Sequence, residues 1–248
     1  MKMTVIGSGS SGNCYILEGR RSALILECGV PPVMVMQRTT LDFTKVAGCL
    51  VTHEHADHAG SARKFADLGL TIYASTGTLD AIGHPSPSRA LPAMSYTGVG
   101  EFQVLPFHTR HDAVEPVGYV IRHPELGRLL FVTDTAPIPY SFKDLQLDHI
   151  MVEANYDDAI LDGNVDEGRI PAVLAGRTRR AHLSIRAAVE LVRANETGRL
   201  KTVTLMHLSE RNSSGHDFER QMREAVVFAD VYVARPGLTV KMSNRYEL

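Results

Sequence analysis

The sequence predicts an α/β fold, a four-layer helix–sheet–sheet–helix sandwich of two similar halves in one domain over residues 1–248. Three observations carry this. Elements run as strands, strand–helix units, strands, then strand–helix units again. The 248 residues are 44% hydrophobic and 22% charged, ordinary for a globular chain and sufficient to bury a core. No repeat, low-complexity tract or linker divides the chain.

The chain opens with MTVI, CYILE and ALILE, separated by glycine-rich or charged breaks, which predicts a strand meander. From Gly48 the pattern changes. GCLVT is a buried strand, HEHADH a polar turn, and SARKFADLG an amphipathic helix ending at Gly69. TIYAS followed by TGTLDAIG repeats that pairing. Residues 83–98 hold Pro85, Pro87 and Pro92 among small polar residues and read as a loop or flap. EFQVLPF, PVGYVIR and RLLFVT return to strands, with turns at Glu115–Pro116 and Pro124–Gly127. LDHIMVE is a further buried strand. The stretch Pro171 to Arg180 is partly helical, and Ser184 is placed to cap a helix over IRAAVELVRAN. KTVTLMH, VYVAR and LTVKM supply the last strands around a helix at FERQMREAVVFA.

Lys and Arg total 26 against 28 Asp and Glu, a formal charge of −2, so there is no basic field of the kind that binds a phosphate backbone. Cys14, Cys28 and Cys49 lie in or beside apolar runs and read as buried, reduced thiols, which places the protein in the cytoplasm. Glycines interrupt the start before an export signal could form, and no apolar stretch approaches membrane-spanning length, so no membrane partner is expected. Eleven histidines, several of them clustered, are more than a neutral surface requires.

Gly7, Gly9 and Gly12 match G-x-G-x-x-G after a predicted strand, the dinucleotide-binding pattern. That pattern needs a helix to begin at the loop, and here NCYILE predicts a second strand. The glycines read instead as a tight connection with close backbone approach.

The chemistry is carried by H-x-H-x-D-H. His53, His55, Asp57 and His58 lie between a buried strand and a helix, where imidazoles and a carboxylate can point into one cavity. This donor set suits zinc or another first-row divalent ion better than it suits a solvated turn. Later positions share that context, a polar ligand ending an apolar strand: His108 or His111, Asp134 and His207. Strand ends at one sheet edge converge on a common cleft, and a carboxylate such as Asp134 could bridge two cations.

GSGSSGNCYIL, LVTHEHADH, HDAVEPVGY, FVTDT, MVEANYDD, AHLSIRAA and LMHLSERNS together resemble, in order and over nearly the whole chain, the metallo-β-lactamase-fold hydrolases. The resemblance is to the branch with tRNase Z and the YycJ/WalJ nucleases. It implies that His53, His55 and His111 hold one metal, that Asp57, His58 and His207 hold the other, and that Asp134 bridges them. HDAVEPVGY selects His111 over His108. The implied cofactors are two Zn²⁺, with Mn²⁺ acceptable to the same donors. Asp134 stands where a β-lactamase would carry its second-metal Cys, which disfavours that branch. The resemblance further implies that Asp57 orients the hydroxide, His182 is the general acid, and Glu153 is its carboxylate partner. Read from the residues alone, His182 is also compatible with a helix-start cap and Glu153 with a solvated carboxylate.

Two cations about 3.5–4 Å apart can hold a bridging hydroxide at neutral pH and clamp both the attacking and departing oxygens of a phosphodiester. The expected substrate is a small nucleotide, a cyclic mononucleotide such as cyclic CMP or cyclic UMP. The chain most resembles the phage anti-Pycsar phosphodiesterases in its near-neutral charge, its lack of a basic arm, and MVEANYDDAILDGN in place of a longer nuclease pattern. The alternative is a DNA or RNA nuclease, which the basic run Arg177 to Arg180 would serve, although AHLSIR stands where GHLSN would be expected. A closed structural metal site fits poorly with seven ligands for two ions. The resemblance also implies a homodimer. His84, His108, His123, His149 and His216 read as surface or structural residues. Ser209, Arg211 and Asn212 read either as phosphate contacts or as a solvated loop.

Overall fold

A computed structural model of the protein describes residues 1–244. The fold is α/β with two mixed sheets. Backbone contacts group into two units, the first formed by Met1–His108, Ala113–Gly127 and the segment from Arg235, the second by Thr109–Asp112 and Arg128–Ala234.

In the first unit β1 (Lys2–Gly7), β2 (Cys14–Glu18) and β3 (Ala23–Leu26) form the expected antiparallel meander. After α1 (Pro32–Arg38), the strands β4 (Val46–Leu50), β5 (Ile72–Ala74) and β6 (Ser88–Ala90) add in parallel to β3. Parallel strands covered on both faces need continuous apolar runs, and ALIL is buried at every position. Two short helices, α2 (Ala56–Ala59) and α3 (Ala62–Asp67), follow β4, and Phe65 of α3 joins the core with Ile25, Val51 and Ile72. Next, α4 (Thr76–Ala81) starts at Ser75, whose side chain accepts the Thr78 N–H. The unit also holds the antiparallel strands β7 (Thr97–Val99), β8 (Phe102–His108) and β9 (Val117–His123).

In the second unit β10 (Gly127–Val132), β11 (His149–Glu153), β12 (Thr202–Met206) and β13 (Asp230–Val233) run parallel in that order. Between β11 and β12 lie α5 (Asp158–Asp166), α6 (Ala172–Ala181) and α7 (Ile185–Asn195), and α8 (Gly215–Ala225) precedes β13. The predicted cap holds, since Ser184 accepts the Ala187 N–H. The last strand, β14 (Thr239–Lys241), returns to the first unit and pairs antiparallel with β1.

Three expectations are corrected. Residues 83–98 are not loop throughout, because β6 lies within them and β7 begins there. β6 is an edge strand of its sheet, where flanking prolines are tolerated. The helix expected at FERQMREAVVFA begins earlier, at Gly215, because Ser214 caps it through the Asp217 N–H. It ends at Ala225 and leaves Val227 and Phe228 exposed. Helices α1 and α5 were not anticipated. A proline at the start favours the first, and the Asp157 side chain caps the second by accepting the Ala159 and Ile160 N–H groups. All three cysteines are buried free thiols. Among the described residues no helix is long and apolar enough to cross a membrane.

Candidate metal and catalytic site

In the first unit β4 delivers the chain through Val51 and Thr52 into the histidine turn. His53 and His58 are buried, and their rings lie 4.2 Å apart by centroid. Thr52 Oγ1 sits 2.9 Å from His53 Nδ1, while His53 Nε2 faces His55 Nδ1 at 3.1 Å. A cation held between these two ring nitrogens would satisfy both. His55 is the residue before α2, so Asp57 and His58 lie on its single turn, with Asp57 Oδ2 3.3 Å from His58 Nε2.

Two residues that sequence reasoning missed support this turn. Glu27, fully buried at the end of the run ALILE, accepts the Thr52 N–H and lies 3.5 Å from His58 Nδ1. A charge ending an apolar strand was the available signal. Asn13 donates from Nδ2 to the Asp57 carbonyl at 3.1 Å. The turn is also pressed close to Gly29, where an added Cβ would come within 1.8 Å of the Asp57 carbonyl oxygen.

In the second unit strand register gathers the remaining candidates. Val132 pairs with Val152, and Glu153 with Met206, so Asp134, Glu153 and His207 all emerge at the C-terminal ends of parallel strands. Asp134 and His207 have left-handed backbones, with φ of 46° and 54°. Non-glycine residues held there store local strain, a common feature of functional sites. His207 Nδ1 lies 3.3 Å from Asp134 Oδ1, and Asn155 Nδ2 lies 3.2 Å from the same ring nitrogen. His182 follows α6 directly and places Nδ1 2.6 Å from Glu153 Oε1 and 3.4 Å from Asp134 Oδ1. The other Glu153 oxygen accepts the Thr135 and Leu183 N–H groups. His111 is held at Nδ1, 2.8 Å from the Ala181 carbonyl, whereas His108 is exposed at the end of β8.

Electrostatics separate these imidazoles. Burial opposes charge on His182, yet Glu153 and Asp134 outweigh it and raise its pKa to about 10, so the ring is cationic at neutral pH. Burial instead holds His111 below the ordinary histidine value, leaving it neutral and suited to ligation. Asp134, Glu153, His182 and His207 each present a ligand atom within 4.8 Å of the others, a donor set that fits a divalent cation only when the His182 ring has given up its proton.

Comparison with known proteins decides the family. Residues 30–208 match the family described as Beta-lactamase superfamily domain. The chain belongs to the beta-lactamase superfamily. Among superfamily relatives it is 27% identical over 232 residues to exodeoxyribonuclease WalJ of Streptococcus pneumoniae, covering 86% of this chain and 83% of that protein. It is 29% identical over 83 residues to the anti-Pycsar protein Apyc1 of Paenibacillus xerothermodurans, covering 29% of this chain and 33% of that one. The fold is shared with the metallo-beta-lactamase fold protein YhfI of Bacillus subtilis. That likeness has a TM-score of 0.73 at 19% identity and spans 96% of this chain and 98% of that one. With relatives that are metal-dependent nucleases, the chain is a hydrolase, and its fold implies divalent metal, for which both units carry His and Asp donors.

Proposed function

We propose that this superfamily hydrolase is a metal-dependent phosphodiesterase acting on a small nucleotide, a cyclic mononucleotide such as cyclic CMP or cyclic UMP. The observation that carries the reading is the Glu153–His182 pair, a buried carboxylate 2.6 Å from an imidazole that lies beside Asp134 and His207. Cleaving a phosphodiester leaves an alkoxide that needs a proton, and this imidazole is charged to give one.

The proposed ligands are those of the family resemblance. His53, His55 and His111 would hold one ion, Asp57, His58 and His207 a second, and Asp134 would be shared. Zinc is the expected ion, and manganese accepts the same N/O donors. Bound divalent cations supply Lewis-acid polarisation of phosphoryl oxygens and lower the pKa of water. The chain's own residues do the rest. Asp57 orients the attacking water. His182 donates a proton to the leaving oxygen from Nε2, because Nδ1 is committed to Glu153. Glu153 fixes the ring and favours its charged form.

The basic run supports a small substrate. Arg177 is engaged with Asp112, and Arg179 with Asp158 and Asp162. A second reading, an exodeoxyribonuclease, is favoured by the long match to WalJ. Purified protein assayed against cyclic mononucleotides and single- and double-stranded DNA and RNA separates the two. Preference for cyclic mononucleotides is expected, preference for polymers replaces the first reading with the second, and inertness toward every phosphodiester overturns both. The proposed enzyme is a cytoplasmic homodimer of one-domain chains.

A further inference from the structure

Phosphodiester chemistry leaves the glycine-rich segment GSGSSGN without a role. Its last residue, Asn13, is 1% exposed and lies against the histidine turn. The Asn13 backbone N–H donates to the Asp57 carbonyl at 2.7 Å, and its own carbonyl accepts the Gly29 N–H at 2.9 Å. Side-chain Oδ1 accepts the Gly9 N–H at 2.8 Å and lies 3.2 Å from the Tyr15 hydroxyl. The Gly9 N–H on that side fixes which end of the carboxamide is oxygen, since a flipped amide would set donor against donor. The nitrogen then serves three acceptors, the Gly9 and Asp57 carbonyls at 3.1 Å each and His58 Nε2 at 3.2 Å.

The segment packs against protein, which argues against an open phosphate cradle at this point. Gly12 has φ of +134°, and a Cβ there would meet the Gly29 carbonyl oxygen at 2.8 Å and Val30 at 2.9 Å.

We propose that Asn13 is a positioning residue for the ligand pair Asp57–His58, and that bracing this pair is the role of the glycine-rich segment. The proposal rests on the reading of Asp57 and His58 as cation ligands. Nδ2 has two protons for three acceptors. The Asp57 carbonyl is one of them, so the amide holds the backbone that carries the ring, while His58 Nδ1 faces the Glu27 carboxylate at 3.5 Å. A ligating histidine whose second nitrogen is held by a carboxylate is fixed in tautomer and ring orientation. Asn13 adds the complementary restraint, on the backbone that carries the ring. Ligands ordered before the ion arrives lose less entropy on binding.

The test is zinc affinity of the full chain, by competition with a chromophoric chelator, with thermal unfolding of the metal-free protein as a second readout. Asn13→Ala is expected to weaken zinc affinity by about 10–100-fold. In a His58→Ala background the same change is expected to add no more than about twofold, because Asn13 acts through the pair. Tyr15→Phe preserves both Nδ2 donations and keeps parental affinity. If Asn13→Ala does not fold, Asn13→Ser carries the same expectation, since it offers an oxygen to Gly9 but no amide to Asp57. Parental zinc affinity in either folded variant overturns the proposal, as does an undiminished loss in the His58→Ala background. A parent chain that binds no zinc overturns the ligand reading itself, and is recognised before any variant is made.

Discussion

His182 Nδ1 and Glu153 Oε1 meet at 2.6 Å, with Glu153 fully buried and His182 partly open. Glu153 is fixed by two backbone N–H groups, so it sets the ring rather than following it. His182→Ala is therefore expected to lower kcat by about 10²–10⁴-fold while leaving metal content unchanged, the range for loss of a positioned acid. Elemental analysis beside steady-state kinetics checks this. Loss of a metal equivalent with the activity would make His182 a ligand, a role its place among Asp134, Glu153 and His207 also permits.

Asp134 and His58 are proposed to hold ions from opposite halves of the sequence. Asp134→Ala and His58→Ala should each reduce bound metal, and each should slow hydrolysis of a generic phosphodiester by about three decades. That corresponds to the several kcal/mol of charge stabilisation a catalytic cation supplies. Hydrolysis retained in the double variant would rule out two-metal catalysis.

Much of the fold was legible because its signals are local. Apolar runs such as ALIL and HIMVE became buried strands, and Ser184 capped α7 as read. Ligand candidates could be read for a similar reason, since His53, Asp134 and His207 follow the ends of apolar strands. What escaped depends on contacts distant in sequence. Asn13 and Asp57 are 44 residues apart, and nothing local marks their hydrogen bond. The left-handed backbone at Asp134 and His207 was equally hidden, because it is imposed against the intrinsic preference of those residues. Arg177 to Arg180 read as a free basic run because its acidic partners are separated from it in the chain.

That basic run yields a prediction about substrate. Arg177 pairs with Asp112, and although burial favours the neutral acid, the guanidinium outweighs it and keeps the Asp112 carboxyl below its usual range. Arg177→Ser and Arg179→Ser should leave the salt dependence of turnover unchanged and cost no more than about 1 kcal/mol of stability, as exposed ion pairs do. Were the substrate a duplex polymer gripped by this run, the slope of log affinity on log salt would flatten by about 0.9 for each phosphate no longer neutralised. Kinetics across a salt series distinguish the outcomes.

The thiols supply a pH prediction whose sign can be worked out. Burial first, then neighbouring Cys28 and Glu27, raise Cys14 well above the ordinary thiol value. Cys28 is raised by burial and by its hydrogen bond with Cys49. A group raised in the folded state contributes stability that is fully present below its unfolded pKa, about 8.5 for a thiol, and lost as pH climbs beyond it. Under reducing conditions the melting temperature of the metal-free chain should fall between about pH 7.5 and 9.5, with a shallower fall in Cys28→Ala than in the parent. Iodoacetamide labelling offers an independent check, because a buried protonated thiol is inert. The native protein should resist alkylation at all three cysteines, and the denatured chain should take up three equivalents. Rapid labelling of native Cys14 or Cys28 would show that the segments carrying them open locally, and would remove the basis for the expected pH slope.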